Sequence, residues 1–445
     1  MRNFLNLLFI SLVFGAQSQT MTTHPISYYG IGEIGQQSHS IYDALGKTYV
    51  SYFDSSQLNI FNPATYSILT TGNTLLSIGI NARASQYTQE AAISNRYFAL
   101  ADHFALGFKM KKRMGLAFGL KPYAKRGYAF SEKIYTGLDS LNYSYSGRGS
   151  VSDFFVGFSY ALVQSKKTFL SLGANVNYLF GNVYNDRSSI LISNTTYSGG
   201  LSSASFLVKT IHLDFGVSYK HQFGRHYQMC LGGTIDPSQK LNTTYAAAFY
   251  SSNNMSDPTQ YDTLSSAIYK GHIISGLNYS IGMSNRVFFD AWKRKARTLH
   301  PNLLLNLSYN FKSGFTHDFD SLASWNAGKG QHFGIGIQFS PESKIYENIA
   351  SLKAFDKLSY RIGAYRDQLP YFKDQVQYVD KGISFGVGIP ILAQQSLSTL
   401  NFGISLGQRG TFSAGHLMES YVGINFGVIL SPARFEPWFR KRKLD

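Results

Sequence analysis

HLDFGVSYKH, residues 212–221, separates into two kinds of residue when its positions are dealt alternately to two faces. Leu213, Phe215, Val217 and Tyr219 share one face of an extended chain. His212, Asp214, Gly216, Ser218 and Lys220 share the other, because strand side chains alternate with a period of two. One face carries no charge and the other carries charges of both signs. The same split recurs in QHFGIGIQFS (331–340), GISFGVGI (382–389), LNFGISLG (400–407), FLSLGANVNYLF (169–180), LLLNLSYNF (303–311) and ESYVGINFGVIL (419–430). Repeated segments of about ten residues with this alternation are the sequence signature of a transmembrane β-barrel. A soluble β-sandwich alternates too, but it seldom needs so many strands. The second face here is also rich in Gly, Ser and Asn rather than in the Lys, Glu and Thr of a solvated sheet.

Composition supports the same class. Charged residues make up 15% of the 445-residue chain, against roughly 25% in soluble domains. Phe, Tyr and Gly are abundant, at 34, 31 and 41. The formal net charge is +16. Cys230 is the single cysteine, so no intramolecular disulfide forms, and a small side chain on a strand face is its reading. Residues 1–18 read as a secretory signal peptide: Arg2, an apolar run from Phe4 to Ala16, then small residues ending at Ser18. That run is shorter than the roughly 20 residues a spanning helix needs. An exported chain without a longer apolar run crosses a membrane with strands if it crosses one at all.

The alternation predicts an all-β, antiparallel transmembrane barrel of about 14 strands, near residues 74–86, 96–108, 114–128, 151–161, 168–181, 206–221, 226–249, 266–283, 300–312, 331–340, 357–367, 379–390, 398–409 and 418–430. Long connections are expected at 129–150, 182–205, 250–265, 313–330, 368–378 and 410–417. Short turns are expected at 109–113, 162–167, 222–225 and 391–397, while 284–299 and 341–356 are long returns at the turn end. Tyr123, Tyr128, Phe130, Tyr178, Phe180, Tyr219, Phe223, Tyr309 and Phe311 are candidates for aromatic girdles. The domain plan is a signal peptide (1–18), an N-terminal hatch or plug (19–73), the barrel (74–430) and a basic C-terminal tail (431–445). An unfilled barrel of this width leaks solutes, and residues 19–73 do not alternate, so they are assigned to its interior.

Three stretches carry a family resemblance. Asn62-Pro63-Ala64 precedes the first strand; GLAFGLKPYAKRGYAF spans Gly115 to Phe130; and the chain ends YRIGAY … GISFGVGIPI … LNFGISLGQRGT … ESYVGINFGVIL … WFRKRKLD. The chain resembles the FadL-like outer-membrane transporters of Gram-negative bacteria, in a subgroup with a C-terminal W-F-x-K-R-K tail, here Trp438 to Lys443. The resemblance implies a fourteen-stranded barrel with an N-terminal hatch. It implies a channel for hydrophobic small molecules, fatty-acid-like or aromatic, entering sideways through a gap in the wall. Some FadL-like barrels instead serve protein-secretion machines, type IX secretion among them, as shuttles or plugs, and that is the alternative reading. The expected location is the bacterial outer membrane. Its lipid, a hydrophobic ligand and, in the alternative, secretion-machinery proteins are the expected partners.

Candidate site residues are few. Asn62, Pro63 and Ala64 form the hatch element by resemblance, or a turn by their own chemistry. His212, Asp214, Lys220, Asn175, Asn177 and Asn306 are expected to face the lumen. His212 and Asp214 supply at most two metal ligands where four are usual, and HDFD at 317–320 reads as a solvated loop, so no metal or cofactor is assigned. No G-x-S-x-G, H-E-x-x-H or Walker A motif occurs, and no enzyme activity is expected. The basic runs 109–113, 293–297 and 440–443 lie in connections at the turn end or in the tail. Beside an anionic lipid surface each basic residue gains about 1 kcal/mol, and nucleic acid is not an expected partner.

Overall fold

The protein is described by a computed structural model, which covers residues 24–35, 39–70, 74–135, 137, 140–191, 199–254, 257–294, 297–319, 328–342, 352–373, 375–391, 398–411 and 416–432. Among these residues fourteen antiparallel strands close into a barrel. They are β1 (Thr74–Gln89), β2 (Ala92–Lys111), β3 (Met114–Tyr135), β4 (Ser140–Gln164), β5 (Thr168–Leu191), β6 (Gly199–Phe223), β7 (Tyr227–Asp236 and Gln239–Ser252), β8 (Asp262–Ser275 and Asn278–Phe288), β9 (Asn302–Lys312 and Phe315–His317), β10 (Gly330–Ser340), β11 (Ser359–Lys373), β12 (Val376–Pro390), β13 (Thr399–Gly410) and β14 (Met418–Leu430). Each strand pairs with its chain neighbour, and β14 returns to β1, from Leu76 opposite Leu430 to Thr88 opposite Met418. Closure leaves no outer edge at that seam.

The two faces separate as the alternation requires. Val422 and Ile424 of β14 are exposed, whereas Asn425 beside them is 3% exposed. Leu213, Phe215 and Val217 of the opening stretch are likewise exposed, with His212 and Ser218 buried. Outside is an apolar band; inside is a polar wall.

Several expectations need correction. The strands run further than their apolar alternation: β3, β4, β5 and β6 continue through most of 129–150 and 182–205, which were expected to be loops. Beyond the apolar band both faces of these hairpins are polar or aromatic, so hydrophobic periodicity fades while backbone pairing persists. The return 284–299 contains a small hairpin of its own, Trp292–Arg294 with Arg297–Leu299. Tyr123 and Tyr128 do not join a girdle but turn inward. A β-bulge between Pro122 and Ala124 shifts the register of β3, and one extra residue inverts every face beyond it. Aromatic pairs do sit near strand ends elsewhere: Tyr279–Phe311 and Tyr309–Phe333 have ring centroids 5.2 and 4.8 Å apart, while Tyr178–Phe180, 5.7 Å apart, lies mid-strand in β5. The signal peptide and the tail Trp438–Lys443 lie outside the described residues.

The described part of residues 24–70 lies inside the barrel. It forms short 3-10 turns at Pro25–Tyr28 and Pro63–Ile68, a two-residue strand at Glu33–Ile34 and one helical turn at Ser40–Asp43. Three side chains cap these turns: His24 Nδ1 accepts from Ile26 N, His39 Nδ1 from Ile41 N, and Asn62 Oδ1 from Ala64 N, at 3.2, 3.3 and 3.1 Å. Proline follows the cap at 25 and 63, where its missing N–H costs nothing. Ile41, Tyr42, Leu45, Tyr52, Leu58, Ile60 and Tyr66 make a core with Phe155, Leu304 and Ile429 of the wall. Leu304, an apolar residue on the otherwise polar face of β9, is thereby explained: it meets the inner segment rather than water.

Candidate functional site

The glycines of the inward face decide how the inner segment sits. A Cβ added at Gly363 or Gly334 would collide with backbone at Leu45 or Gly46; at Gly173, with Pro63; at Gly232, with Val50; at Gly115, with Tyr66. Main chain packs directly on main chain at five places around the wall. Polar contacts complete the fit. Asn62 Nδ2 donates to Val50 O at 2.8 Å and Val217 O at 3.3 Å, and Tyr66 Oη donates to Asn175 Oδ1 at 3.1 Å.

Charge pairs tie the segment to the far wall. Arg409 of β13 holds the Glu33 carboxylate through both oxygens. Burial alone raises the Glu33 pKa, but the Arg409 guanidinium outweighs it and the carboxyl ends near 2. Lys47 donates to Asp367 at 2.7 Å and lies 3.4 Å from Asp380. Those two carboxylates overcome the desolvation of its ammonium and raise its pKa. Burial keeps the capping His24 neutral, with its pKa near 3. Such buried pairs are costly to break, because one partner is left charged and dry.

The wall itself has an opening. β2 and β3 pair only over Phe104–Lys111 and Met114–Leu120. Past Leu120 they diverge: β2 stays paired with β1 as far as Ala92, and β3 stays paired with β4 as far as Tyr135. Two local features cause this. Pro122 has no N–H to give a ladder and is followed by the bulge at Tyr123; across the gap, Asp102 is bulged out of the β1–β2 register. Among the described residues no barrel strand fills the gap. Only Glu33–Ile34 lies along the edge of β3, opposite Lys125 and Ala124. Gly35 N donates to Tyr123 O at 2.9 Å. Gly32, at φ 103°, lets the chain turn against the Lys125 carbonyl. Arg126 further holds the entering chain by donating to the carbonyls of Ser27, Tyr28 and Gly30.

Behind the opening lie two neighbouring spaces. A small pocket of about 40 Å³ is lined by Phe98 and Leu100 of β2, Pro122, Tyr123 and Lys125 of β3, and Glu33. A cavity of about 170 Å³ shares Gly35, Pro122 and Tyr123 with it and extends across the lumen to β5, β6, β7, β8 and β9.

His212, Asn175, Asn177 and Asn306 are buried inward. Asp214 accepts from Asn175 Nδ2 at 2.9 Å and from Asn177 Nδ2 at 2.7 Å. His212 pairs not with Asp214 but with Asp236 of β7, Nε2 to Oδ1 2.8 Å. Asn306 Nδ2 reaches Thr48 O at 3.5 Å. Lys220 sits apart, with its ammonium 5.0 Å from the Phe53 ring. Of these, His212, Asp214 and Asn177 line the large cavity. Sequence reading missed Asp102, Asp153, Lys121 and Asp236 there, and Glu33, Lys47 and Arg409 nearby. Asp153 carries a signal in VSDFFVGFSY, a charge on the inward face of an apolar strand; the pairings among the others do not. Within HDFD, Phe319 is buried and Asp318 pairs with His272 at 2.9 Å. No cluster that could hold a metal ion occurs among the described residues.

A family model described as BamG matches residues 1–445. The chain belongs to the BamG family. Three solved structures share its fold. The Pseudomonas putida toluene transporter TodX is 15% identical at a TM-score of 0.54, covering 90% of this chain and 98% of its own. A Pseudomonas aeruginosa FadL homologue is 10% identical at 0.55, covering 90% and 99%. The Ralstonia pickettii toluene transporter TbuX is 15% identical at 0.50, covering 89% and 98%. A comparison with curated proteins finds no match. The FadL-like resemblance therefore holds for the fold, and the family is BamG.

Proposed function

We propose that this BamG-family barrel sits in the bacterial outer membrane and admits small, largely apolar molecules sideways from the lipid, with residues 19–73 as the hatch. The observation that carries this reading is the β2–β3 opening backed by the cavity. An unpaired strand edge at membrane depth is expensive, and a closed barrel would avoid it at no cost in sequence length. The pocket at the opening presents Phe98, Leu100 and Pro122 to an entering molecule, and only two residues of inner strand stand behind it. The structural relatives named as toluene transporters are consistent with such cargo. The test is uptake of a small aromatic compound into proteoliposomes, wild type against Leu100→Trp, which fills the pocket. Uptake above protein-free vesicles that Leu100→Trp abolishes supports the reading; uptake equal to empty vesicles rejects it.

A second reading is favoured by the main-chain packing on the lumen glycines and the two buried ion-pair sets. These make the inner segment part of the fold rather than a loose stopper. On that view the barrel is an accessory subunit of a protein-handling machine, a type IX secretion assembly being one kind, and its partners bind outside the lumen. Affinity purification from mild detergent separates the two. A stoichiometric large partner with no uptake activity establishes the accessory role, and a lone active barrel excludes it.

A further inference from the structure

The 170 Å³ cavity is unusual for a path meant for hydrocarbons, because four carboxylates line it: Asp102, Asp153, Asp214 and Asp236. Against them stand two ammonium groups, Lys121 and Lys312, and the imidazole of His212. Lys121 lies 3.6 Å from Asp153 Oδ2, while Lys312 donates to Gly35 O at 3.0 Å and so is turned to backbone. The balance of the cavity is negative.

The hydrogen-bond accounting points the same way. Asp214 is satisfied by the two asparagine amides, and Asp236 accepts from Asn278 Nδ2 at 2.9 Å, with His212 Nε2 in charge contact 2.8 Å from its other oxygen. Three oxygen atoms on lining residues have no partner: Asp153 Oδ1, Asn177 Oδ1 and Asn310 Oδ1. Their residues are 4%, 1% and 7% exposed. The Asn177 amide is oriented by chemistry, since its nitrogen must face the Asp214 carboxylate, so its free atom is the acceptor. A buried polar atom left unpaired costs about 1–3 kcal/mol. The free oxygen atoms are all acceptors, and the one free nitrogen on the lining, His212 Nε2, is already turned to Asp236 at 2.8 Å; in a negative cavity the partner these oxygens call for is a cationic donor.

No group of three or more His, Cys, Asp or Glu able to hold a metal ion occurs among the described residues, and an alkylammonium answers the open acceptors. It offers three N–H donors and one positive charge. The rest of the wall suits an organic body, with Tyr49, Phe61, Tyr123 and Phe315 presenting rings, and rings attract cations at their faces. The volume is close to the roughly 150 Å³ that holds a benzene molecule.

We infer that the cavity is a binding site for a small organic ammonium ion with a body about the size of one aromatic ring. This rests on the sideways-entry reading for its route and narrows the cargo from neutral hydrocarbon to amphipathic amine. The test is calorimetric titration of the purified full chain in detergent at pH 7 with 2-phenylethylammonium chloride, and with 2-phenylethanol as the uncharged counterpart. The ammonium is expected to bind about tenfold tighter or more, the ratio corresponding to 1.4 kcal/mol. Asp153→Asn is expected to remove most of that preference. Asn310→Ala, which touches no ion pair, is expected to weaken the ammonium and leave the alcohol unchanged, so the proposal stays testable if Asp153→Asn misfolds. Equal binding of both probes, or no saturable binding of the ammonium, overturns the site. Uptake of both probes by proteoliposomes separates this from the parent reading. If the alcohol crosses and the ammonium does not bind, sideways entry stands and the site falls; if the ammonium binds and neither probe crosses, the site stands and transport falls.

Discussion

Gly232 and Gly233 are adjacent in β7 and face opposite ways, which makes them a matched pair of tests. A methyl carbon at Gly232 would lie 2.6 Å from Val50 C and 2.8 Å from Ser51 Cα, with the Val50 carbonyl oxygen closer still. That is about an ångström inside ordinary carbon contact, and the atoms it meets are main chain that no rotamer change can move. At Gly233 the nearest atom is Val217 Cγ1, a side-chain methyl at 3.1 Å on the outer face, which can turn away. Replacing either glycine with alanine removes the same backbone freedom from the unfolded chain, worth about 0.4–1 kcal/mol, so that effect cancels between the variants. Overpacking costs about 1–3 kcal/mol, which multiplies the population with the inner segment displaced by about 5- to 150-fold. Gly233→Ala is expected to stay within about 0.5 kcal/mol of wild type. Proteinase cleavage within residues 24–70 of barrels folded in liposomes reads the displaced population directly. Indistinguishable cleavage of the two variants would refute the claim that main-chain contact with the lumen glycines seats the inner segment.

Four further outcomes are expected. Arg409→Met leaves Glu33 buried without its guanidinium and should destabilise the barrel by about 3–5 kcal/mol, with the double change to Arg409→Met and Glu33→Leu recovering most of it; thermal unfolding of the heat-modifiable band reads both. The same pair sets an acid limit: Glu33 sits near 2 when folded and about 4.3 unfolded, so its stabilisation is full above about pH 4.3 and fades as pH falls toward 2, a loss the double variant should not show. Deleting residues 19–60 should convert a closed barrel into one with resolved conductance steps in planar bilayers, and unchanged conductance would count against their role as the hatch. Ile404→Lys, on the exposed face of β13, should cost about 2–4 kcal/mol in urea unfolding from lipid, and Ile404→Leu almost nothing.

The outer surface was legible in the sequence because one local rule governs it: an uncharged residue at every second position. That rule located the fourteen strands and separated the apolar outer face from the polar inner one. It failed wherever a partner distant in sequence decided the outcome. Tyr128 reversed its face because a bulge at Tyr123 inserted one residue into the register, and nothing in PYAKRGY announces that count. His212 found Asp236 rather than Asp214, since residues two apart on a strand stand side by side while cross-strand neighbours meet. Lys47 and Asp367 are 320 positions apart, beyond any periodicity. The inward Gly, Ser and Asn did carry a signal of the interior. Small side chains on a lumen wall mark where another backbone must fit, and Gly173, Gly232 and Gly363 mark three such places.

That fit bears on which way a molecule can pass. A path along the barrel axis requires the inner segment to leave, and leaving strips main-chain packing at five glycines, separates Arg409 from Glu33 and Lys47 from Asp367 and Asp380, and exposes the Tyr42–Leu58–Tyr66 core. Each ion pair alone resists by several kcal/mol, so the displaced state is rare on thermodynamic grounds. A path through the β2–β3 opening disturbs far less: the pairing of Glu33–Ile34 with Lys125 and Ala124, and the single bond from Gly35 N to Tyr123 O. Local openings of small, weakly paired segments occupy the low end of a protein's stability range. Yet Glu33 belongs to both descriptions. It is the residue that Arg409 anchors and the residue that closes the edge of β3, so loosening the Arg409 pair should release the side entrance before it releases the lumen. Arg409→Lys, which keeps the charge and loses the two-pronged grip, is therefore expected to raise sideways uptake of a small aromatic compound while leaving ionic conductance closed. Conductance rising together with uptake would show that the segment moves as one body and that no separate side entrance exists.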